Sequence, residues 1–274
     1  MPRPRLPRRT EARLELTHAL TAVDLNPRYL DLWPVARRAW AEIAEVEPIL
    51  VLVAEPRDVP AQLADDPAVR VFHPEPTLST VFQAQCIRLL YPALLEADGA
   101  VVISDVDMVP MAPGYFHRPL AHIPRGDFVS YRDVLLPLGE IPICYNAALP
   151  ATWASVFDVR DHDDVRRHLR GWSEGVEYDG SHGGAGWTTD QRRLYRVLLE
   201  RGRRVRDVWI LDDYYTGYRR LERAYVEKWG TLSDDARRGI ERNAFSDYHL
   251  LRADSDHAEV NGVIVEAAVA ARRR

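Results

Sequence analysis

The sequence predicts an α/β fold with a mostly parallel central sheet flanked by helices. In the first half of the chain, apolar runs of strand length alternate with segments of helical periodicity, as in α/β domains. Two of these runs, "PILVLVAE" and "GAVVISDVD", are continuously apolar, which is typical of strands covered on both faces. With 274 residues and 46% hydrophobic content, the chain is long enough to bury one large core.

The sequence pattern of the first half of the chain predicts the following strands and helices. "LTHALTAVDLN" is a strand ending in a turn, and Pro27 then opens a helical segment that is interrupted at Pro34. The strand "PILVLVAE" and the shorter strand "AVRVFH" follow. "TVFQAQCIRLLYPALLEA" is an amphipathic helix, and "GAVVISDVD" is a buried strand.

The second half has a looser pattern. We predict strands at "DFVSYRDV", "PICYNAAL" and "RVRDVWILDD", and helices at "DHDDVRRHLRGW" and "TTDQRRLYRVLLERG". The glycine-rich segment "YDGSHGGAGW" predicts a flexible loop, and its composition suggests a lid. Because no internal repeat or linker interrupts the chain, we expect a single domain over residues 14–274, preceded by a disordered basic arm at residues 1–13.

Composition narrows the classes of function. A net charge of -5 and a pI near 6.0 argue against a general nucleic-acid binder, which needs a basic surface to neutralise phosphates. Cys86 and Cys144 are far apart in apolar surroundings, which predicts reduced core cysteines and a cytoplasmic protein. No run of about 18 apolar residues predicts a membrane span.

Two aspartates follow the apolar run "VVIS". Placed on this strand, Asp105 and Asp107 point to the same side, because strand side chains alternate. Open α/β sheets bind ligands at the carboxyl ends of their strands. Carboxylate oxygens there predict half of a site for Mg²⁺ or Mn²⁺. The alternative is a pair of turn aspartates that cap the next segment.

One metal chemistry with this pattern is phosphate ester hydrolysis. "DVDMV" resembles the motif of haloacid-dehalogenase-like phosphatases, in which Asp105 would be the nucleophile. "WILDDYY" would then supply the later acids Asp212 and Asp213. That family also has a lysine before those acids, whereas Lys228, the only lysine, comes after them. The phosphatase is therefore kept as an alternative.

A second resemblance covers more of the chain. Four segments occur in the order found in the GT-A glycosyltransferases that carry a DxD motif, over most of residues 80–250: "CIRLLYPALLEADGAVVISDVDMVPM", "IPICYNAALPATW", "GWTTDQRRLYRVL" and "FSDYHLLR". The resemblance implies a GT-A, Rossmann-like, nucleotide-diphospho-sugar transferase fold. It divides the domain into a nucleotide-binding half, residues 14–110, and an acceptor-side half, residues 111–274.

The resemblance also implies roles for individual residues. Asp105, Asp107 and His249 would bind Mn²⁺ or Mg²⁺, although His257 lies near enough in sequence to be the third ligand instead of His249. The donor would be a nucleotide-diphosphate sugar, with a UDP-sugar favoured and a GDP-sugar possible. Its predicted binding residues are Asp24, Gln85, Arg88, Asp105 and Asn146.

Asp190 and Gln191 are the predicted catalytic residues. In an inverting enzyme Asp190 would deprotonate the acceptor hydroxyl, and in a retaining enzyme both residues would lie near the anomeric carbon. The sequence departs from the best-known retaining subfamily because no "GxxKPW"-like element follows His249, and Arg252 is the candidate to replace its lysine.

The expected function is metal-dependent glycosyl transfer, in the EC 2.4 class, to an acceptor that the sequence does not identify. A non-catalytic nucleotide- or glycan-binding protein on the same fold stays open as an alternative, because a fold does not fix a function. A nucleotidyltransferase would need a glycine- and lysine-rich phosphate loop after the first strand, and "DLNPRYLDLW" has none.

Overall fold

The structure is a computed structural model that describes residues 12–181, 183–200, 207–213 and 216–273. Most of the predicted basic arm, residues 1–11, lies outside the described residues. Arg13, which the prediction assigned to the arm, forms an isolated β-bridge with Pro124. The division into an arm and a single domain stays a prediction.

Ten strands are present in the described residues. In chain order they are β1 (Leu16–Asp24), β2 (Glu47–Val53), β3 (Val69–Phe72), β4 (Ala100–Ile103), β5 (Met108–Pro110), β6 (Phe128–Ser130), β7 (Asn146–Ala148), β8 (Val208–Ile210), β9 (Arg219–Leu221) and β10 (Phe245–His249).

The same ranges contain eleven α-helices. They are α1 (Pro27–Leu30), α2 (Trp33–Glu42), α3 (Ala61–Ala64), α4 (Thr80–Ile87), α5 (Pro113–Leu120), α6 (Pro150–Phe157), α7 (His162–Ser173), α8 (Thr189–Tyr195), α9 (Arg223–Trp229), α10 (Asp234–Glu241) and α11 (Val260–Arg272). Residues 196–200 extend α8 by one wider turn.

Seven strands form the central sheet, in the order β3-β2-β1-β4-β7-β6-β8. Strands β3, β2, β1 and β4 are parallel, with Leu20 of β1 opposite both Ile49 of β2 and Ile103 of β4. Among the described strands of this sheet, only β7 runs in the opposite direction, because it pairs antiparallel with both β4 and β6. The predicted α/β fold with a mostly parallel sheet is confirmed.

A second, three-stranded sheet has the order β5-β10-β9. Strand β10 is antiparallel to β5, and its last residue, His249, lies opposite Met108. The amide of Leu250 also donates a hydrogen bond to the carbonyl of Asp107, at 2.7 Å. This small sheet therefore places β10, from the C-terminal part of the chain, beside the segment that follows β4.

The predicted helical segment after β1 is two helices. Asn26 caps α1 by accepting a hydrogen bond from the Arg28 amide, and the chain breaks before α2, whose second residue is Pro34. Cys86 and Cys144 are buried and free, as predicted. Across the described ranges, no helix combines the length and apolar character that crossing a membrane requires.

Candidate functional site

A cleft of about 410 Å³ opens where β1 and β4 end. Its walls include Ala22, Val23 and Asp24 from the end of β1, and residues 105–108 from the segment after β4. Because β1 and β4 are parallel, these segments meet at one edge of the sheet, where open α/β sheets bind ligands. Other parts of its wall come from the second half of the chain and include Gln191, His249 and Arg252.

The two aspartates of "DVD" lie beyond the strand. Strand β4 ends at Ile103, and residues 104–107 form the turn that leads into β5, closed by a hydrogen bond from the Met108 amide to the Asp105 carbonyl, at 3.2 Å. The prediction that strand alternation orients the two carboxylates is therefore wrong. Both side chains nevertheless face the cleft, where each has a different partner.

Asp107 contacts His249. Its Oδ2 lies 3.3 Å from Nε2 of His249, across 142 positions of sequence, and 3.7 Å from Nη1 of Arg223. The other ring nitrogen of His249 lies 3.7 Å from Oε2 of Glu222. The structure thus brings His249 to the aspartate pair, while His257 packs against Gly230 elsewhere.

The contact between Asp107 and His249 lowers the pKa of the carboxyl and raises the pKa of the imidazole. Burial raises the pKa of Asp107, but the hydrogen bond and charge of His249, with Arg223 and Arg88, outweigh burial and hold that pKa below its ordinary value. Burial lowers the pKa of His249, but hydrogen bonds with Asp107 and Glu222 outweigh burial and raise that pKa to about 9. Without a cation, the pair is therefore a carboxylate facing an imidazolium at neutral pH.

Asp105 contacts Arg88 at the C-terminal end of α4. Nη1 of Arg88 pairs with Oδ1 of Asp105, and Nη2 lies 2.9 Å from Oδ2 of Asp190. One guanidinium thus bridges two carboxylates from distant parts of the chain. The other oxygen of Asp105 accepts a hydrogen bond from Sγ of Cys144 at 3.0 Å, and burial raises the pKa of that thiol to about 12.

Gln85 joins three parts of the cleft wall. Its Nε2 donates to the Trp187 carbonyl and lies 3.3 Å from Oδ1 of Asp190, while its Oε1 accepts from the Tyr178 hydroxyl at 3.1 Å. Tyr178 and Trp187 are the two ends of the glycine-rich segment. Gln85, Arg88 and Asp190 are therefore brought together as a connected group, with Gln191 at the cleft surface.

Asp190 and Asn146 do not reach the cleft surface. Both side chains are fully buried. Burial raises the pKa of Asp190 above its ordinary value, although Arg88 acts in the opposite direction. Asn146 donates to the carbonyls of Pro142 and Ile143, at 2.7 and 2.8 Å, and so supports a segment that lines the cleft. Neither side chain is exposed, and the roles predicted for Asp190 and Asn146 stay predictions.

Asp24 lies at the cleft with part of its side chain exposed. Its Oδ1 accepts from the Asn26 amide at 3.1 Å, and its Oδ2 accepts from the Thr80 hydroxyl at 2.9 Å. The carboxylate thus shapes the turn into α1 and also faces the space beyond β1. The binding role predicted for it stays a prediction.

Sequence reasoning missed a group of buried polar side chains at the wall of the cleft. Arg132 is 2% exposed, and its Nη2 lies 2.7 Å from Oδ1 of Asp247, which also accepts from the Tyr145 hydroxyl at 3.2 Å. Arg132 also lies 3.4 Å from Oδ1 of Asp213. These residues are far apart in sequence, so no local pattern signals the group. Arg132 is one of five arginines that line the cleft, together with Arg88, Arg220, Arg223 and Arg252.

The donor set suits a divalent cation. Oδ2 of Asp107 and Nε2 of His249 already face each other, and Asp105 faces the same cleft. Mn²⁺ accepts carboxylate oxygen together with imidazole nitrogen. No group of three or more His, Cys, Asp or Glu side chains within the described ranges already surrounds a single point. The residues therefore fit the ion if Asp105 exchanges Arg88 for it.

Comparison with solved structures finds three glycosyltransferases that are similar to this chain. No protein-family model matches the sequence, and no curated protein matches it significantly. GlyE of Streptococcus pneumoniae is 13% identical, with a TM-score of 0.49, over 92% of this chain and 60% of its own. The galactosyltransferase LgtC, solved with donor and acceptor sugar analogues, is 14% identical, with a TM-score of 0.48, over 93% of this chain and 96% of its own.

The bifunctional glycosyltransferase WbbM is 12% identical, with a TM-score of 0.42, over 92% of this chain and 50% of its own. The chain thus spans less than two thirds of GlyE and WbbM. With all three TM-scores below 0.5, these similarities assign neither a family nor an activity to this chain. Its function has to be inferred from the site.

Proposed function

We propose that the protein is a metal-dependent glycosyltransferase that moves a sugar from a nucleotide-diphosphate donor to an acceptor. The observation that carries this proposal is the contact between Asp107 and His249. The fold brings these two potential ligands together across 142 positions, in a cleft at the edge of the sheet where α/β proteins bind nucleotides. Asp105 beside them supplies a second carboxylate.

The lining of the cleft supports one orientation of the donor. The base and ribose would lie at the end of β1, near Asp24 and Tyr29, because this is the wall formed by the parallel strands. The diphosphate would lie at the aspartate pair. Arg252 also lines the cleft and makes no ion pair within the described part of the chain, so its guanidinium is available to a phosphate.

The sugar would then lie between Arg88 and Trp187, which also line the cleft. A divalent cation held by Asp105, Asp107 and His249 supplies charge stabilisation for the departing diphosphate. Arg88 is placed to assist, because it can release Asp105 to the ion and turn one edge of its guanidinium towards the donor. Asp190 keeps hold of the other edge and so orients it.

The carboxylates in the site support transfer with retention of configuration. An inverting enzyme needs a free carboxylate to deprotonate the acceptor hydroxyl. Asp190 is fully buried and paired with Arg88, so it is not placed for this task. The only carboxylates among the described cleft-lining residues are Asp24, Asp105 and Asp107, and the last two are the proposed metal ligands.

The phosphatase alternative is not favoured by the positions of its residues. Lys228 lies on α9 and is not among the described residues that line the cleft. Asp213, which would hold the metal of a phosphatase, is instead within 3.4 Å of Arg132. The residues needed for that chemistry therefore do not converge on Asp105.

Thermal unfolding in the presence of nucleotides tests the proposal. The wild-type protein and the Asp105→Ala/Asp107→Ala variant are compared with UDP, GDP, dTDP and CDP, each with and without Mn²⁺. A ligand at about 100 times its dissociation constant adds about 2.7 kcal/mol, a shift of several degrees. We expect one nucleotide to stabilise the wild-type protein only with Mn²⁺, and the variant to lose this effect. Stabilisation by none of the nucleotides would refute the proposal.

A further inference from the structure

The thiol of Cys144 makes two contacts with Asp105. The Asp105 amide donates to Sγ at 3.0 Å, and Sγ donates in turn to Oδ2 of the same residue at 3.0 Å. The thiol therefore holds both the main chain and the carboxylate of the first aspartate in the "DVD" turn. Cys144 is buried at the wall of the cleft, so it reaches Asp105 without facing bulk solvent.

The strand register explains why these residues meet. Strand β7 is antiparallel to β4, with Asn146 opposite Ile103. Continuing this register by two residues beyond the end of β4 sets Cys144 opposite Asp105. The central sheet thus brings the two segments side by side. Asn146 also braces the segment that carries Cys144, through its hydrogen bonds to the carbonyls of Pro142 and Ile143.

The two oxygens of Asp105 have partners of different kinds. Oδ1 contacts the guanidinium of Arg88, and Oδ2 accepts from the neutral thiol of Cys144. A cation and an anionic donor would draw Arg88 away from Oδ1, because the ion replaces its charge and the donor attracts it. Nothing of this kind draws a neutral thiol away from Oδ2. The hydroxyl of the neighbouring Ser104 donates to main-chain carbonyls and lies 3.9 Å from Sγ of Cys144, and it makes no described hydrogen bond with Oδ2 of Asp105.

We propose that Cys144 is a positioning residue for the metal site: it holds Oδ2 of Asp105 so that Oδ1 is the oxygen presented to the cation. This inference rests on the proposed function. The thiol acts as a donor to Asp105 and not as a ligand, because Sγ is already engaged with both the amide and Oδ2 of that residue. Residues that orient metal ligands in this way typically change metal affinity by about 10–100-fold when they are replaced.

Metal affinity in cysteine variants tests the inference. Mn²⁺ binding is measured by electron paramagnetic resonance, with the nucleotide that stabilises the wild-type protein present. We expect Cys144→Ala to raise the dissociation constant for Mn²⁺ by about 10-fold. Cys144→Ser keeps a donor and should stay within about threefold of the wild-type protein, because a hydroxyl also hydrogen-bonds a carboxylate.

Cys86→Ala is the matched control. Cys86 is also a buried free cysteine, and it makes no described hydrogen bond with Asp105, so its loss should leave Mn²⁺ affinity within about twofold of the wild-type value. Unchanged affinity in Cys144→Ala would overturn the inference. So would an equal loss of affinity in Cys144→Ala, Cys144→Ser and Cys86→Ala, since that would indicate damage to the core alone.

A measurement on the wild-type protein tests the inference even if the cysteine variants fail to fold. Co²⁺ replaces Mn²⁺, and the near-ultraviolet spectrum is recorded at neutral pH. We expect no thiolate-to-cobalt charge-transfer band, because Cys144 donates to Asp105 and does not bind the ion. A strong band would overturn the positioning role, since Cys144 would then be a ligand. If neither ion binds the wild-type protein, the proposed function fails, and this inference fails with it.

Discussion

Replacing Arg88 by methionine should strongly destabilise the protein, and the cost should depend on pH. Arg88 is the charged partner of Asp190, which is fully buried and is otherwise contacted by Gln85 and the Gln191 amide. Without Arg88 the buried carboxyl would take up a proton. Protonating a carboxyl with an ordinary pKa of about 3.9 costs about 4 kcal/mol at pH 7 and about 1.5 kcal/mol at pH 5.

Urea-induced unfolding of the wild-type protein and Arg88→Met at these two pH values measures the cost. The sign follows from proton uptake: a buried carboxyl without a partner has a raised folded-state pKa, so the stability of the variant improves as pH falls. Arg88→Met/Asp190→Asn should recover most of the loss at pH 7, because it leaves no buried charge.

Arg38→Met is a control from the surface. Arg38 pairs with Glu42 and Glu266, and its side chain is 39% exposed, so its loss should cost about 1 kcal/mol or less. If Arg88→Met loses no more stability than Arg38→Met, or if its loss of stability does not change with pH, Arg88 is not the partner of a buried carboxylate.

Three further predictions concern the site. In the metal-free protein, the pairing of protonated His249 with Asp107 should stabilise the fold fully below pH 6.5, and this stabilisation should be lost as pH rises through about 9. The melting temperatures of the wild-type protein and His249→Gln should therefore converge over that pH range, and a constant difference between them would contradict this. Gln85→Ala should speed hydrogen exchange in residues 183–187, because it removes the contacts with Tyr178 and Trp187; unchanged exchange argues against this link. Nuclear magnetic resonance of the reaction product should show the anomeric configuration of the donor, and the opposite configuration would require a base outside the cleft-lining carboxylates.

The sequence predicted the elements that carry strong local patterns. The apolar runs of β1, β2 and β4 are long enough to identify buried strands without other information. Strands β5, β9 and β10, which form the small sheet, were not predicted, because β9 is Arg-Arg-Leu, β10 is Phe-Ser-Asp-Tyr-His, and β5 directly follows the two aspartates. The same limit affected the aspartates, since the apolar run did not reveal that β4 ends at Ile103 and that the "DVD" turn begins beyond it.

The site shows the same division between local and distant information. A motif of three residues identified Asp105 and Asp107, whereas His249 was identified only through the resemblance of "FSDYHLLR" to a family segment. The contact between Cys144 and Asp105 depends on the register of β7 against β4, and that of Arg132 with Asp247 joins residues 115 positions apart. Pairings of this kind arise from the tertiary fold, so a single sequence carries no signal for them.

Turnover of a nucleotide-sugar donor tests the central claim most directly. The wild-type protein and Asp107→Asn are incubated with sugar conjugates of the nucleotide that binds, and release of the nucleoside diphosphate is measured with Mn²⁺ and with a chelator. The account predicts release by the wild-type protein only when the metal is present, and none by the variant, because Asp107 is the carboxylate that already faces His249. Equal release by Asp107→Asn, or release that the chelator does not reduce, would contradict it.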